Sequence, residues 1–163
     1  MIAGRRLDET LAYWRTQLDG ALTTLALPAD RPRGDRGDQT GGDVRRLLPP
    51  SLLRDAKALA QATGTTLYMV LVAAFQMWLS RVTGQDDIVI GSAIGGRPRP
   101  ETHGVVGYFS GALPLRSQFG ADATFTKILG TVRHAVLGAL EHQQVSVELL
   151  TMELAREIGR AHV

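Results

Sequence analysis

The apolar segment at residues 67–79, LYMVLVAAFQMWL, limits most strongly what this chain can fold into. Placed on a helix, it carries apolar side chains on nearly every side, and such a helix must be packed against neighbours all round. It is far shorter than the roughly 20 residues of a membrane span. We therefore predict the central helix of a globular core, with Met69, Met77 and Trp78 interpreted as packing rather than as the lining of a ligand cavity.

Composition excludes several function classes. The 163 residues are 44% hydrophobic and 21% charged, which suits one globular domain or one half of a larger one. Net charge is only +2 and no basic stripe with interleaved aromatics occurs, so nucleic acid is not a predicted partner. The chain has no cysteine and its N-terminus lacks the apolar core of a signal peptide. We predict a cytoplasmic protein with no disulfide, no metal site and no membrane partner.

The N-terminal region is predicted to be a helix followed by a linker. Leu11, Trp14 and Leu18 recur at helical spacing behind Asp8, a suitable N-cap, which indicates a short surface helix over residues 8–18. Residues 28–43 mix arginine and aspartate with glycine and proline, so we predict an exposed linker. The predicted organisation is an entry helix and connection at 1–27, this linker, and an α/β core at 44–156.

The core segments alternate between helix and strand. Residues 50–64 predict an amphipathic helix that begins at Pro50 and ends at Gly64. Its apolar face would contain Leu52, Ala56, Leu59 and Thr63. Residues 86–97, DDIVIGSAIGGR, form a continuous apolar run typical of a strand buried on both faces. A long amphipathic helix behind an Asp122 cap, ending near His142, and a shorter helix at 146–154 complete the core.

Residues 105–116, VVGYFSGALPLR, have the hydrophobicity of a strand that small residues interrupt. Pro114 cannot donate a ladder hydrogen bond, so this strand is predicted at a sheet edge or a bulge. Glycines permit another group to approach the backbone closely. The fold class is α/β, a small mixed sheet covered by helices.

Several long stretches resemble the C-terminal half of a condensation domain from nonribosomal peptide synthetases. These are YWRTQLDGA followed by LALPADRPR, and TLYMVLVAAFQMWLSRVTGQDDIVIGSAIGGR. VGYFSGALPLR is similar to the family motif Val-Gly-x-Phe-Val-Asn-Thr-Leu-x-Leu-Arg, and HQQVSVELL to His-Gln-Asp-x-Pro-Phe-Glu. The resemblance implies a chloramphenicol-acetyltransferase-like (CoA-dependent acyltransferase) half-domain. It also implies amide formation between substrates held on the phosphopantetheine arms of carrier proteins, with no cofactor bound directly.

The catalytic motif of that family, His-His-x-x-x-Asp-Gly, lies in the preceding half of the domain and is absent from this sequence. The four histidines, His103, His134, His142 and His162, all stand alone. We therefore predict no catalytic residue in this chain and no activity without its missing N-terminal half. The implied partners are that half and the carrier and adenylation domains of a synthetase.

The resemblance also implies a substrate tunnel beside the first motif. The residues predicted to line it are Gly107, Tyr108, Ser110 and Gly111. The family has asparagine where this chain has Gly111, so the contribution of Gly111 would be space rather than hydrogen bonding. Carrier or substrate contacts are implied for Arg97, Arg116, His142 and Gln143. The alternatives are ion-paired or solvated arginines, and a His142 that only caps a helix C-terminus.

The second motif departs further from the family, because Gln144, Ser146 and Val147 replace Asp, Pro and Phe. Loss of the aspartate predicts a shifted or frayed start of the last helix. Two altered motifs also favour an alternative function, a non-catalytic condensation-like module that binds a carrier protein or recruits a tailoring enzyme. A stand-alone polyketide or lipid acyltransferase of the same fold is a third hypothesis.

Residues 157–163, EIGRAHV, interrupt the amphipathic pattern that precedes them. One reading frame of a widely used sequencing-library adapter encodes the same seven residues, followed by a stop codon. We predict that they are a non-native tail without a role.

Overall fold

The computed structural model describes residues 5–21, 24–30, 42–95, 100–120, 122–146 and 148–153. Four helices and two strands follow one another along them. These are α1 (Arg5–Leu18), α2 (Pro50–Ala62), α3 (Leu67–Thr83), β1 (Asp87–Ile94), a short 3₁₀ helix (Pro100–Thr102), β2 (Gly111–Gln118) and α4 (Phe125–Glu141). The predicted tail, most of the predicted linker and Arg97 lie outside the described residues.

The two strands form a small antiparallel sheet in which Ile94 lies opposite Gly111 and Gly91 opposite Pro114. Within the described ranges β2 pairs with β1 alone, so the predicted edge position of Pro114 is confirmed. The prediction that the strand begins at residue 105 is wrong. Its ladder starts at Gly111 because β1, its partner, ends at Ile94, and residues 105–110 form an irregular connection before it.

The sequence predicted that β1 is buried on both faces, and this prediction is wrong. In the structure only one face of β1 is buried. Ile88 is fully buried, whereas Gly91 and Ala93 on the opposite face are exposed. Helices α3 and α4 pack against the sheet from one side, α3 on β1 and α4 on β2. The exposed side carries small side chains at the end of the sheet nearest the 105–110 connection.

Helix α3 begins and ends at strong capping residues. The Met69 N–H donates to Oγ1 of Thr66 (3.2 Å), and Gly84 stops the helix in the left-handed region at φ +70°. Gln76 lies fully buried in its middle and donates from Nε2 to the carbonyl oxygens of Leu115 (2.9 Å) and Ile88 (3.5 Å). One side chain therefore ties α3 to both strands.

The prediction that α3 is packed on all sides is wrong. Its neighbours α2, α4 and β1 bury only one face, which consists of Met69, Val70, Val72, Ala73, Gln76 and Leu79. Large apolar side chains on the other face stay exposed: Tyr68, Leu71, Phe75, Trp78 and Val82. We call these five residues the α3 stripe. Met77 is partly buried against the core, as predicted, but Trp78 is not a core residue.

Three smaller points concern the other helices. Helix α1 lies at the surface as predicted, with Leu11 and Trp14 buried on its inner face, but it begins at Arg5 rather than behind Asp8. In α2 the predicted apolar face is buried only in part, because Leu52 is exposed and Ala56, Leu59 and Thr63 are half-buried. Helix α4 is capped by Thr124, whose Oγ1 accepts from Lys127 N–H (3.4 Å), and not by Asp122. The burial of α1 and α2 follows from which elements pack against them. The cap of α4 follows from which hydroxyl lies next to its first turn.

No helix in the described ranges is by itself long and apolar enough to cross a membrane. Helices α2 and α3 together meet the length and composition requirement, but they are bent by 103° at their junction.

Candidate functional site

The four residues predicted to line a tunnel lie together at the start of β2. Gly107, Tyr108 and Ser110 belong to the connection before the strand, and Gly111 is its first residue. Tyr108 is 91% exposed, and its neighbours Val105 and Val106 are exposed as well. This segment, residues 104–111, therefore exposes apolar and small side chains at the end of the sheet where Ile94 lies opposite Gly111.

Two glycines in this segment differ in how much room they leave. A Cβ on Gly107 would lie 3.1 Å from the ring of Phe109, so the missing side chain is what lets that ring fold back over the backbone. A Cβ on Gly111 would meet Ile94 only at ordinary contact distance, 3.7 Å. Gly111 thus has space for a methyl group, and its predicted contribution of space to a tunnel stays a prediction.

The guanidinium of Arg116 makes contacts within the chain. It is buried and forms a two-fold pair with Asp87, Nε to Oδ1 at 2.9 Å and Nη2 to Oδ2 at 2.6 Å. Its Nη1 donates to the carbonyl oxygens of Gln17 (3.1 Å) and Asp19 (2.5 Å). These contacts match the ion-paired alternative for Arg116, because its donors fasten the C-terminal end of α1 to the sheet; the carrier contact stays a prediction.

The pairing of Asp87 with Arg116 shifts the pKa of both side chains. Hydrogen bonds from Arg116 hold the pKa of Asp87 below its usual range, and burial opposes this effect only in part. The same hydrogen bonds raise the pKa of Arg116. Both shifts favour the charged pair over its neutral form.

His142 and Gln143 lie at the end of α4. His142 is the C-cap residue, and its Nδ1 lies 2.9 Å from the carbonyl oxygen of Gly138, so Nδ1 carries the hydrogen in this contact. Gln143 donates from Nε2 to the carbonyl oxygen of Leu140 (2.7 Å). These contacts match the helix-capping alternative for His142, and they use one of the two amide donors of Gln143.

Two stretches that carried the family resemblance meet at His142. Its ring stacks on Tyr13 with centroids 4.0 Å apart and planes 6° apart, and its carbonyl oxygen accepts from Trp14 Nε1 at 3.0 Å, across 128 residues of sequence. Burial, with a smaller contribution from Glu141, raises the pKa of Tyr13. Sequence reasoning missed this corner, which we call the Tyr-Trp-His corner and define as Tyr13, Trp14 and His142.

Gly138 makes the corner possible, and we expect Gly138→Ala to destabilise the chain. The new Cβ would collide with Oη of Tyr13 and lie 3.0 Å from its Cζ. Overpacking of this kind costs about 1–3 kcal/mol, which outweighs the roughly 1 kcal/mol that alanine gains over glycine in a helix. Urea unfolding followed by circular dichroism measures the change.

Gly130, in the same helix, is the matched control because a Cβ there meets nothing within 4 Å. Gly130→Ala should be neutral or raise the free energy of unfolding by up to about 1 kcal/mol. If both variants shifted the unfolding midpoint in the same direction by the same amount, the packing of Tyr13 on Gly138 would be refuted.

The last helical segment, described over residues 148–153, follows a capping serine. Oγ of Ser146 accepts from Leu149 N–H (3.2 Å), and the Ser146 carbonyl oxygen accepts from Leu150 N–H (3.0 Å). Hydrogen bonds from the backbone N–H of Glu148 and from Ser146 lower the pKa of the Glu148 carboxyl. Ser146 therefore provides an N-cap although the aspartate is absent, while the predicted fraying falls on Val147, outside the described residues.

The fold is that of solved condensation domains. The chain superimposes on the first condensation domain of the CDA synthetase with a TM-score of 0.76 and 28% identity, covering 93% of this chain and 33% of that one. The X-domain from teicoplanin biosynthesis gives a TM-score of 0.82 and 27% identity, covering 91% and 33%. This defines the class as the CoA-dependent acyltransferase fold, confirming the predicted α/β class.

The chain belongs to the Condensation domain family, whose sequence profile matches residues 1–162. It is similar to a linear gramicidin synthase of Brevibacillus parabrevis, with 44% identity over 148 residues, 91% of this chain and 3% of the relative. We call that protein the gramicidin relative. A plipastatin synthase of Bacillus subtilis (strain 168) is 39% identical over 151 residues, 91% and 6%. The chain therefore spans about a third of the solved domains and a few per cent of these synthetases, and the predicted nonribosomal peptide synthetase family is confirmed.

Proposed function

We propose that this chain is part of a condensation domain that forms amide bonds between carrier-bound thioesters in nonribosomal peptide synthesis. The observation that carries the proposal is the family match over nearly the whole chain, together with 44% identity to a peptide synthetase. In the reaction the acceptor amine attacks the donor thioester carbonyl, the C–N bond forms, the C–S bond breaks, and the amine proton leaves. The released thiol remains on the donor carrier.

The chain by itself is proposed to be inactive. Its sequence contains no His-His-x-x-x-Asp-Gly. His134 in α4 and His142 at the end of α4 each hydrogen-bond to a carbonyl oxygen of that helix. A missing general base removes a contribution of about 10²–10⁴-fold. Loss of the opposite wall of the site also removes the positioning that makes the amine and thioester react.

The segment at residues 104–111 is proposed to face the substrates. Its small residues leave room for an acyl chain, and exposed Tyr108 offers a flat apolar ring with a hydroxyl. Substrates would arrive on phosphopantetheine arms, so the proposed partners are carrier and adenylation domains of a synthetase and the remaining part of the condensation domain. We place this assembly in the cytoplasm, in keeping with a chain free of cysteine.

A hybrid domain tests the proposal. This chain replaces the 148 aligned residues in the gramicidin relative, and amide product is followed by mass spectrometry with loaded carriers. We expect product from the hybrid and none from the chain alone. The control is the same hybrid with the second histidine of its His-His-x-x-x-Asp-Gly motif replaced by alanine. Product from the chain alone, or from the control at the rate of the hybrid, would contradict the proposal.

A second candidate function has its own support. The chain is 27% and 28% identical to the X-domain from teicoplanin biosynthesis, solved alone and in complex with OxyB, with TM-scores of 0.82 and 0.81. The chain would then belong to a recruiting module that binds a partner enzyme without catalysis. A hybrid that folds and binds carriers yet forms no amide, and that binds OxyB in a calorimetric titration, would favour this function over condensation.

A further inference from the structure

The α3 stripe is a continuous apolar surface on an otherwise well-packed helix. Its residues recur at spacings of three and four along α3, so they lie on one face. Phe75 and Trp78 stack with ring centroids 5.8 Å apart, and the hydroxyl of Tyr68 hydrogen-bonds to Oγ of Ser92 on β1. The stripe therefore runs along α3 and reaches the sheet at Tyr68.

The chemistry of the stripe indicates an apolar occupant. None of its five residues is charged, whereas α3 places its one arginine, Arg81, outside the stripe. A surface of this kind on a soluble domain marks a contact with another surface rather than with water. The neighbouring strand β1 has an unpaired edge, since within the described ranges it pairs with β2 alone.

We propose that the α3 stripe is the surface against which the remaining part of a condensation domain packs. This inference rests on the proposed function. The chain aligns over 93% of its own length with a solved condensation domain but accounts for only 33% of that domain, so about two thirds of such a domain is available to cover the stripe. Burying its aromatic and aliphatic side chains against an apolar partner is favourable, while leaving them in water is not.

Two tryptophans make the contact measurable. The chain contains only Trp14, which is fully buried, and Trp78, which is 53% exposed in the stripe. Labelling with 5-fluorotryptophan gives two ¹⁹F resonances, and the one lost in Trp78→Phe is assigned to Trp78. The probe is the unlabelled remainder of the condensation domain in the gramicidin relative, from which the 148 aligned residues are removed.

We expect saturable changes at Trp78 alone. Adding the probe should shift its resonance and reduce its H₂O/D₂O solvent shift, while the resonance of Trp14 stays in place. Phe75→Asp should weaken binding by about tenfold or more, because a charge would be buried in an apolar contact. Leu137→Asp is the matched control, since Leu137 is 46% exposed on α4 and Phe75 48% on α3. It should leave the affinity within about two-fold, the range of a surface substitution.

If the remainder of the condensation domain does not fold by itself, the hybrid domain is labelled with 5-fluorotryptophan and measured in its place. In the hybrid, Trp78 should show no H₂O/D₂O solvent shift. Phe75→Asp should abolish soluble expression of the hybrid, whereas Leu137→Asp should not. A Trp78 that stays solvent-exposed in both the mixture and the hybrid overturns the inference. So does a Trp78 shift that depends on the concentration of the chain alone, which would assign the stripe to a second copy. A hybrid that buries Trp78 but forms no amide refutes the proposed function and leaves this interface standing.

Discussion

Replacing Trp14 with alanine is expected to lower the free energy of unfolding by about 3–5 kcal/mol, as large-to-small changes of buried aromatics do. The indole is fully buried, meets the ring of Tyr13 edge-on at 5.0 Å, and donates to the carbonyl oxygen of His142. Domains of this size are stabilised by only about 5–15 kcal/mol in total. The variant should therefore be partly unfolded in dilute urea, as measured by circular dichroism.

Trp78 provides the matched control for this substitution. It is the same residue type on an exposed face, where it stacks on Phe75, so Trp78→Ala should lower the free energy of unfolding by only about 0.5–1.5 kcal/mol. Trp14→Phe keeps most of the apolar volume but leaves the His142 carbonyl oxygen without its donor, which costs about 1–3 kcal/mol. Equal unfolding midpoints for Trp14→Ala and Trp78→Ala would show that α1 is not docked in the core.

Local signals in the sequence predicted most of the elements. Pro50 starts α2 as expected, the apolar run at 67–79 lies within α3, and Pro114 lies in an edge strand. Each of these depends on a residue and its immediate neighbours, which sequence reasoning handles well. The apolar run at 86–97 also predicted a strand, but β1 is shorter than predicted and spans Asp87–Ile94.

Burial around α3 was not predictable in the same way. Apolar side chains on every side of a helix show that it needs neighbours, but not which neighbours a given chain supplies. Here α2, α4 and β1 cover one face, so Leu71 and Phe75, which the all-round apolar pattern placed in the core, are exposed. The pattern is compatible with the proposal that another part of a condensation domain covers the second face.

The candidate site shows a similar division. The segment at residues 104–111 stayed together because its members are neighbours in sequence. The stacking of His142 on Tyr13, in contrast, joins two ends of the chain, and no local pattern encodes such a contact. For Arg116 the sequence left a carrier contact and an ion pair open, because sequence alone does not show that Asp87 lies diagonally opposite it on the neighbouring strand.

The pairing of Asp87 with Arg116 predicts a specific dependence of stability on pH. The folded-state pKa of Asp87 lies below the unfolded value of about 3.9, so its contribution is complete above that pH and is lost as the pH falls through the folded pKa. The free energy of unfolding should therefore decline below about pH 4. Asp87→Asn removes this titration, and its stability curve should be flatter there.

Removing one member of the pair should also be costly at neutral pH. Asp87→Asn leaves the Arg116 guanidinium buried without its anion, and breaking a buried pair in this way costs about 3–5 kcal/mol. Asp55→Asn is the matched control, because Asp55 pairs with Arg54 on the exposed surface of α2, where such pairs contribute about 0–1 kcal/mol. Urea titrations of both variants at pH 7 and pH 3.5 separate the two cases. The buried pair predicts a large difference between the variants at pH 7 that begins to narrow at pH 3.5, because the unfolded chain already binds a proton at Asp87 there while the folded chain, with its lowered pKa, still resists it. A difference that is the same at both pH values would mean that Asp87 is held for its shape and not for its charge.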